Sequence, residues 1–155
     1  MNKKIASLVQ DIIRWVDFGS PVVDLAIRLY VGKVFFMSGL TKIASWGTTL
    51  MLFENEYAVP LLPPAVAAWV GTAAELSLPV LLVLGLATRP AVLALFIFNI
   101  VAVVSYPDIS DNGVKDHFYW GFLMLVTLFH GPGALSMDYL IRRRFGGQAG
   151  TTTRK

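Results

Sequence analysis

The chain has no cysteine among its 155 residues, which excludes disulfides, thiolate metal sites, iron–sulfur clusters and cysteine nucleophiles together. Charge is scarce too. Asp, Glu, Lys and Arg make up 15% of the residues, against roughly 25% in an ordinary soluble domain. There are two histidines, His117 and His130, expected at opposite ends of one helix, so they cannot share a metal. No HExxH spacing, phosphate loop, GxGxxG fingerprint or nucleophilic triad is present, and no metal site is expected. Basic residues are thin away from the termini and lack interleaved aromatics, so no nucleic acid is expected as a partner. A secretory signal also fits poorly, because Asp11 and Arg14 interrupt the apolar run that should follow Lys3 and Lys4.

Hydrocarbon is what the sequence does contain. The hydrophobic share is 55% and the mean hydropathy +0.63, so the chain is expected to use lipid as its solvent. At this length it forms one domain, with no room for a soluble catalytic module. Four apolar stretches read as transmembrane helices, at about residues 22–44, 65–87, 91–106 and 114–130. Before them Ile5, Leu8, Val9, Ile12, Ile13 and Val16 form one helical stripe with Trp15 and Phe18 near its end. Residues 1–20 are therefore expected to lie on the membrane surface as an amphipathic helix, with Gly19-Ser20-Pro21 turning the chain inward. Residues 45–64 read as a lid on the outer face or as an ordinary connector, with Trp46, Phe53 and Tyr57 suited to the headgroup layer. Ser136 is a candidate N-cap for a short amphipathic helix reaching Arg144. Residues 146–155 read as a flexible cytoplasmic tail. The expected class is all-α, a four-helix integral membrane bundle spanning residues 21–145.

Orientation follows from Lys and Arg in short loops. Lys3, Lys4 and Arg14 precede the first span, Arg89 lies between the second and third, and Arg142, Arg143 and Arg144 follow the fourth. The other side carries Glu54, Glu56, Asp108, Asp111 and Asp116. Both termini are expected in the cytoplasm of a bacterial inner membrane.

Charges within the spans are the candidate chemistry, because each costs about 2.5–3.5 kcal/mol at mid-depth unless it faces the interior and finds a partner. Lys33 and Glu75 both fall roughly 15 Å from their own ends of spans one and two, so antiparallel packing is expected to pair them. Asn99 in span three is expected near that pair. Pro79 denies the Glu75 carbonyl its helical donor, which adds a polar spot in hydrocarbon. The pair reads either as a site for a proton or a quinone headgroup, or as an ion pair that fixes helix register. Asp24 and Arg28 are expected to pair along one helix face. Asp116-His117, at the outer mouth of span four, is a candidate proton acceptor.

Ile27-Arg28-Leu29, Gly32, Phe35-Phe36 and Ser38-Gly39-Leu40-Thr41-Lys42-Ile43 resemble the opening signature of the DoxX family. Glu75-Leu76 with Leu81-Leu82-Val83-Leu84-Gly85-Leu86-Ala87-Thr88-Arg89 resembles its second helix and the following turn. Gly131-Pro132-Gly133-Ala134-Leu135-Ser136-Met137-Asp138 is similar to its closing motif. The resemblance implies a four-span bacterial membrane protein, with Arg28, Lys42, Glu75, Arg89 and Asp138 at the family's polar positions. It further implies association with quinol oxidation or with soluble redox-stress proteins. The expected role is an accessory subunit of a quinone-linked redox or oxidative-stress system, with no covalent cofactor, quinone as candidate ligand, and a soluble redox protein or oxidase subunit as partner. The rival readings are a non-enzymatic scaffold that anchors a soluble partner, and a small transporter.

Overall fold

The computed structural model describes residues 3–145, with side chains from residue 7. The order is α1 (Lys3–Ala44), α2 (Trp46–Asn55), α3 (Pro64–Leu84), α4 (Thr88–Val104), α5 (Asp111–His130) and α6 (Met137–Phe145), with no strand among the described residues. The all-α class is as expected. Helices α1, α3, α4 and α5 close a ring: α1 packs on α3, α3 on α4, α4 on α5, and α5 back on α1. The short α2 lies against α3 and α1.

Alternating three- and four-residue spacings make the ring. Asp24, Arg28, Val31 and Phe35 form the buried stripe of α1, and Ala68, Thr72, Glu75, Pro79 and Leu82 that of α3. Thr88, Val92, Leu95 and Asn99 do the same for α4. Such stripes suit near-antiparallel helices with interlocking ridges. Val31, Phe35, Leu82, Val92, Leu95 and Met124 are the core, and Phe35 meets Phe98 and Trp120 edge-on at 6.3 and 5.8 Å.

Around this core the polarity is inverted. Leu29, Met37, Val70, Ile97, Ile100, Phe122 and Phe129 are exposed, while Arg28, Glu75, Thr88 and Asn99 are buried. Soluble monomers rarely present so continuous an apolar exterior. Among the described residues one helix is long and apolar enough to cross a bilayer, α3, with 21 residues and a hydropathy of 1.7; α4 is a shorter apolar helix.

Several boundaries differ from the sequence reading. The chain does not turn at Gly19-Ser20-Pro21: α1 runs through Pro21 without interruption. One proline removes one hydrogen bond and a helix can absorb it when both flanks favour helix. The division at residue 20 is therefore not an element boundary. Residues 46–55, read as loop, are helical, with Trp46, Leu50 and Phe53 packed on Ala67 and Ala68. Thr88-Arg89-Pro90 is the first turn of α4 rather than a separate turn, a position where proline's missing N–H costs nothing. Ser110 caps α5 early by accepting from the Gly113 N–H at 3.1 Å. Ser136 caps α6 as expected, accepting from the Tyr139 N–H at 3.2 Å. The expected tail, residues 146–155, lies outside the described residues.

Candidate functional site

Glu75 sits in the middle of α3 with both carboxylate oxygens on Lys42 of α1. The Lys42 Nζ donates to Oε1 at 2.8 Å and to Oε2 at 2.7 Å, and to Ser38 Oγ at 3.0 Å. Ser38 Oγ in turn donates to Glu75 Oε1 at 3.1 Å. All three ammonium protons are thereby engaged, in an ion pair between a partly buried lysine and a buried carboxylate.

The expected Lys33–Glu75 pair does not form. Lys33 is exposed on the outside of the ring and makes no ion pair or hydrogen bond to a described residue. Lys33 and Lys42 are separated by about two and a half helical turns, which places them on opposite faces of α1. Depth alone suggested Lys33; the buried stripe through Asp24, Arg28, Val31 and Phe35 continues to Lys42 and was the signal that could have found it.

Across the ring, Asn99 is buried and holds His117 rather than Glu75. Its Nδ2 donates to the His117 carbonyl at 3.0 Å, and its Oδ1 lies 2.8 Å from His117 Nδ1. A carbonyl only accepts, so the amide orientation is fixed and His117 Nδ1 must carry the proton facing Oδ1. In the neutral ring Nε2 is then an acceptor, without a partner among the described residues. The expected Asp116–His117 couple is absent as a contact. Adjacent helical residues point about 100° apart, and Asp116 is exposed.

These two posts face one cavity of about 370 Å³. Phe35, Phe53, Phe98 and Trp120 supply apolar wall, with Lys42, Glu75 and Ser38 on one side and His117 on the other. Ser105 lines it with a buried hydroxyl that has no hydrogen-bond partner among the described residues. Tyr57 and Tyr106, edge-on at 5.1 Å, also line it. The loop after α2 is fastened there by the Ala58 N–H, which donates to the Ser105 carbonyl at 2.7 Å. Burial, and then the nearby Tyr106, Glu75 and Glu56, push the Tyr57 phenol above its usual range, so it remains a donor at neutral pH.

The remaining family-motif positions gather at the far end of the bundle. Arg28, fully buried, does not pair with Asp24. Its guanidinium donates to the carbonyls of Leu82 and Val83 that end α3, and to Leu135. Asp24 instead meets His130 Nδ1 at 2.9 Å. Asp138 accepts from the Ala87 and Thr88 N–H groups at 2.9 and 2.8 Å and from the Thr88 hydroxyl at 2.8 Å, which caps α4. Burial alone would raise this carboxyl; the bonds from Thr88 and Ala87 and nearby Arg142 outweigh it and hold Asp138 below its usual range. Gly85 and Gly133, both at positive φ, let the backbone approach this knot. Arg89 is exposed beside it. This end is architecture; the cavity is the candidate site.

The DoxX family profile matches residues 23–107. A Haemophilus influenzae protein described as uncharacterized is 34% identical over 134 residues, covering 81% of this chain and 87% of that protein. The inner membrane protein YphA of Escherichia coli K12 is 31% identical over 140 residues, covering 81% of this chain and 96% of that protein. No solved structure matches.

Proposed function

Because the chain belongs to the DoxX family of membrane proteins, we propose that it is a four-span protein of the bacterial inner membrane whose cavity binds a quinone, as an accessory subunit of a membrane redox system. The apolar exterior of the ring supports four spans. Aromatic residues Trp46, Trp69, Tyr57 and Tyr106 gather at one end, as at a membrane interface, and Arg89 and Arg142–Arg144 at the other. That asymmetry supports cytoplasmic termini.

The carrying observation is the cavity between two polar posts. A quinone is a flat apolar ring with an oxygen at each end, and about 370 Å³ falls in the range of small-ligand sites. The fit is chemical as well as volumetric. The Ser105 hydroxyl is buried without a partner among the described residues, and the Tyr57 phenol stays protonated; both would donate to ring oxygens. His117 Nε2 would take the proton of a quinol hydroxyl, with Asn99 fixing the tautomer. Glu75 keeps spare lone pairs towards the same space. A bound quinone supplies the electron carriage, and the electrons pass to or from a redox partner protein.

A short-chain quinone titrated into detergent-solubilised protein should quench tryptophan fluorescence saturably, through Trp120 in the cavity wall. His117→Gln and Ser105→Ala should each weaken binding about tenfold, the scale of one lost hydrogen bond to a buried ligand. A second reading rests on the completeness of the Lys42–Glu75–Ser38 pair, whose ammonium has no proton to spare. Under it the pair only holds the bundle and the chain is a non-enzymatic scaffold. Quenching that is non-saturable and identical in all variants would favour that scaffold.

A further inference from the structure

Lys33 presents an unsolved cost. It is exposed, unpaired among the described residues, and set in a groove of about 300 Å³ between α1 and α3. Leu29 and Phe36 form one wall and Pro79, Val80 and Val83 the other. Gly32 is buried at the groove's floor, where α1 and α3 come closest: a Cβ there would stand 2.5 Å from Val83. If the ring spans a bilayer as proposed above, on which this inference rests, the ammonium faces hydrocarbon. It lies halfway between the buried clusters at Asp24 and Lys42, about 14 Å from each level. A charge so placed is retained only with a partner.

Two occupants fit poorly. The four-carbon lysine stem covers roughly half of the distance to the Asp24 level, so the ammonium falls short of the lipid phosphates. A second copy of the chain offers no matching carboxylate. Of the ten acidic residues, Asp24 and Glu75 are buried in pairs of their own. Asp11 and Asp17 lie on the N-terminal segment of α1, and Asp138 on α6. Glu54, Glu56, Asp108, Asp111 and Asp116 lie at the other end, on or beside α2 and the start of α5. Two copies meeting on this face would set Lys33 against Lys33.

We propose that this groove docks a transmembrane helix of a different protein, one that carries an aspartate or glutamate within the depth of the bilayer opposite Lys33. The apolar walls take the partner's neighbouring side chains, and the carboxylate neutralises the ammonium. This makes the outer faces of α1 and α3 the subunit contact, separate from the cavity inside the ring.

The test uses the full-length protein in vesicles with a fluorescent leucine–alanine transmembrane peptide bearing one central Glu, and its Gln twin. Energy transfer should show the Glu peptide bound about three- to tenfold more tightly than the Gln peptide, the range of polar contacts between helices. Lys33→Met should erase the preference, and Lys33→Glu should transfer it to a peptide with a central Lys. Equal binding of the two peptides to the unaltered protein would overturn the proposal. So would a preference that survives Lys33→Met, or one that phosphatidylglycerol in the vesicles abolishes, which would assign the groove to lipid. Leu29→Cys and Val80→Cys, introduced singly, separate this from the membrane reading. Both should resist a charged maleimide. Labelling of either would bring down the membrane reading and the docking with it, whereas resistance without a Glu preference would bring down the docking alone.

Discussion

Glu75 and Lys42 hold each other inside the bundle, so removing the lysine leaves a buried carboxylate without its counter-charge. Lys42→Met should cost about 3 kcal/mol, the lower range for breaking a buried pair. Lys42→Met combined with Glu75→Gln should recover most of that loss, while Lys33→Met, which removes a charge without a partner among the described residues, should not lower stability. Unfolding in mixed micelles measures all three. At the other end, Asp138→Ala should cost about 1 kcal/mol through the lost cap of α4. Its pH dependence has a definite sign. The folded-state carboxyl is held below its ordinary value, so its contribution is full above about pH 3.9 and is lost as pH falls through the folded value. The stability gap between the protein and Asp138→Asn should therefore be constant near neutrality and close in strong acid. At this scale the sequence marked Glu75 and Asn99 as internal, as they are, but placed Lys33 inside as well and misassigned the partners. Span depth matched Lys33 to Glu75, whereas helix phase decides between Lys33 and Lys42. Asn99 was legible as an interior polar group, but its partner His117 depends on the register of α4 against α5, which no single helix encodes.

At the level of elements, helices were legible wherever apolar periodicity was long. The exceptions have physical causes. Gly19-Ser20-Pro21 carries every mark of a turn, yet α1 continues, because each flank keeps its own helical pattern. The α2 helix was missed because its ten residues lie among prolines and aromatics that suggested a loop. Its Trp46, Leu50 and Phe53 do share one face, a signal too short to stand without α3 beneath it. Two glycines separate turn geometry from helix propensity. Gly85, at φ 67°, ends α3, and a Cβ there would lie 2.5 Å from Arg28 Nη1 and from Ser136 Cβ. Gly85→Ala should lower stability by about 2 kcal/mol through strain and displaced contacts. Gly47, inside α2, has open space around it, so Gly47→Ala should be neutral or stabilising by up to about 1 kcal/mol. Thermal melts of the two variants in one detergent compare them directly.

The whole molecule is a ring with apolar skin, a structural knot at one end and a cavity towards the other. Its orientation in a membrane is open to a simple test because the chain has no cysteine of its own. Thr48→Cys, on α2, should react with a membrane-impermeant maleimide in intact spheroplasts, and Arg143→Cys, on α6, only after lysis. Reaction of Arg143→Cys in intact spheroplasts would reject a cytoplasmic C-terminus, and reaction of both only after lysis would reject the placing of α2 on the outer face. The ring and its class were readable from composition and periodicity, whereas the cavity was not, because it arises from four helices and the loop after α2 meeting at one level. Quinone binding in that cavity is the central claim, and photolabelling with an azidoquinone, followed by peptide mapping, tests it most directly. Label should appear on cavity residues such as Tyr57, Ser105 and Trp120, decline with excess unlabelled quinone, and fall in His117→Gln. Label confined to the outer faces of the helices, or unaffected by competitor, would contradict the account.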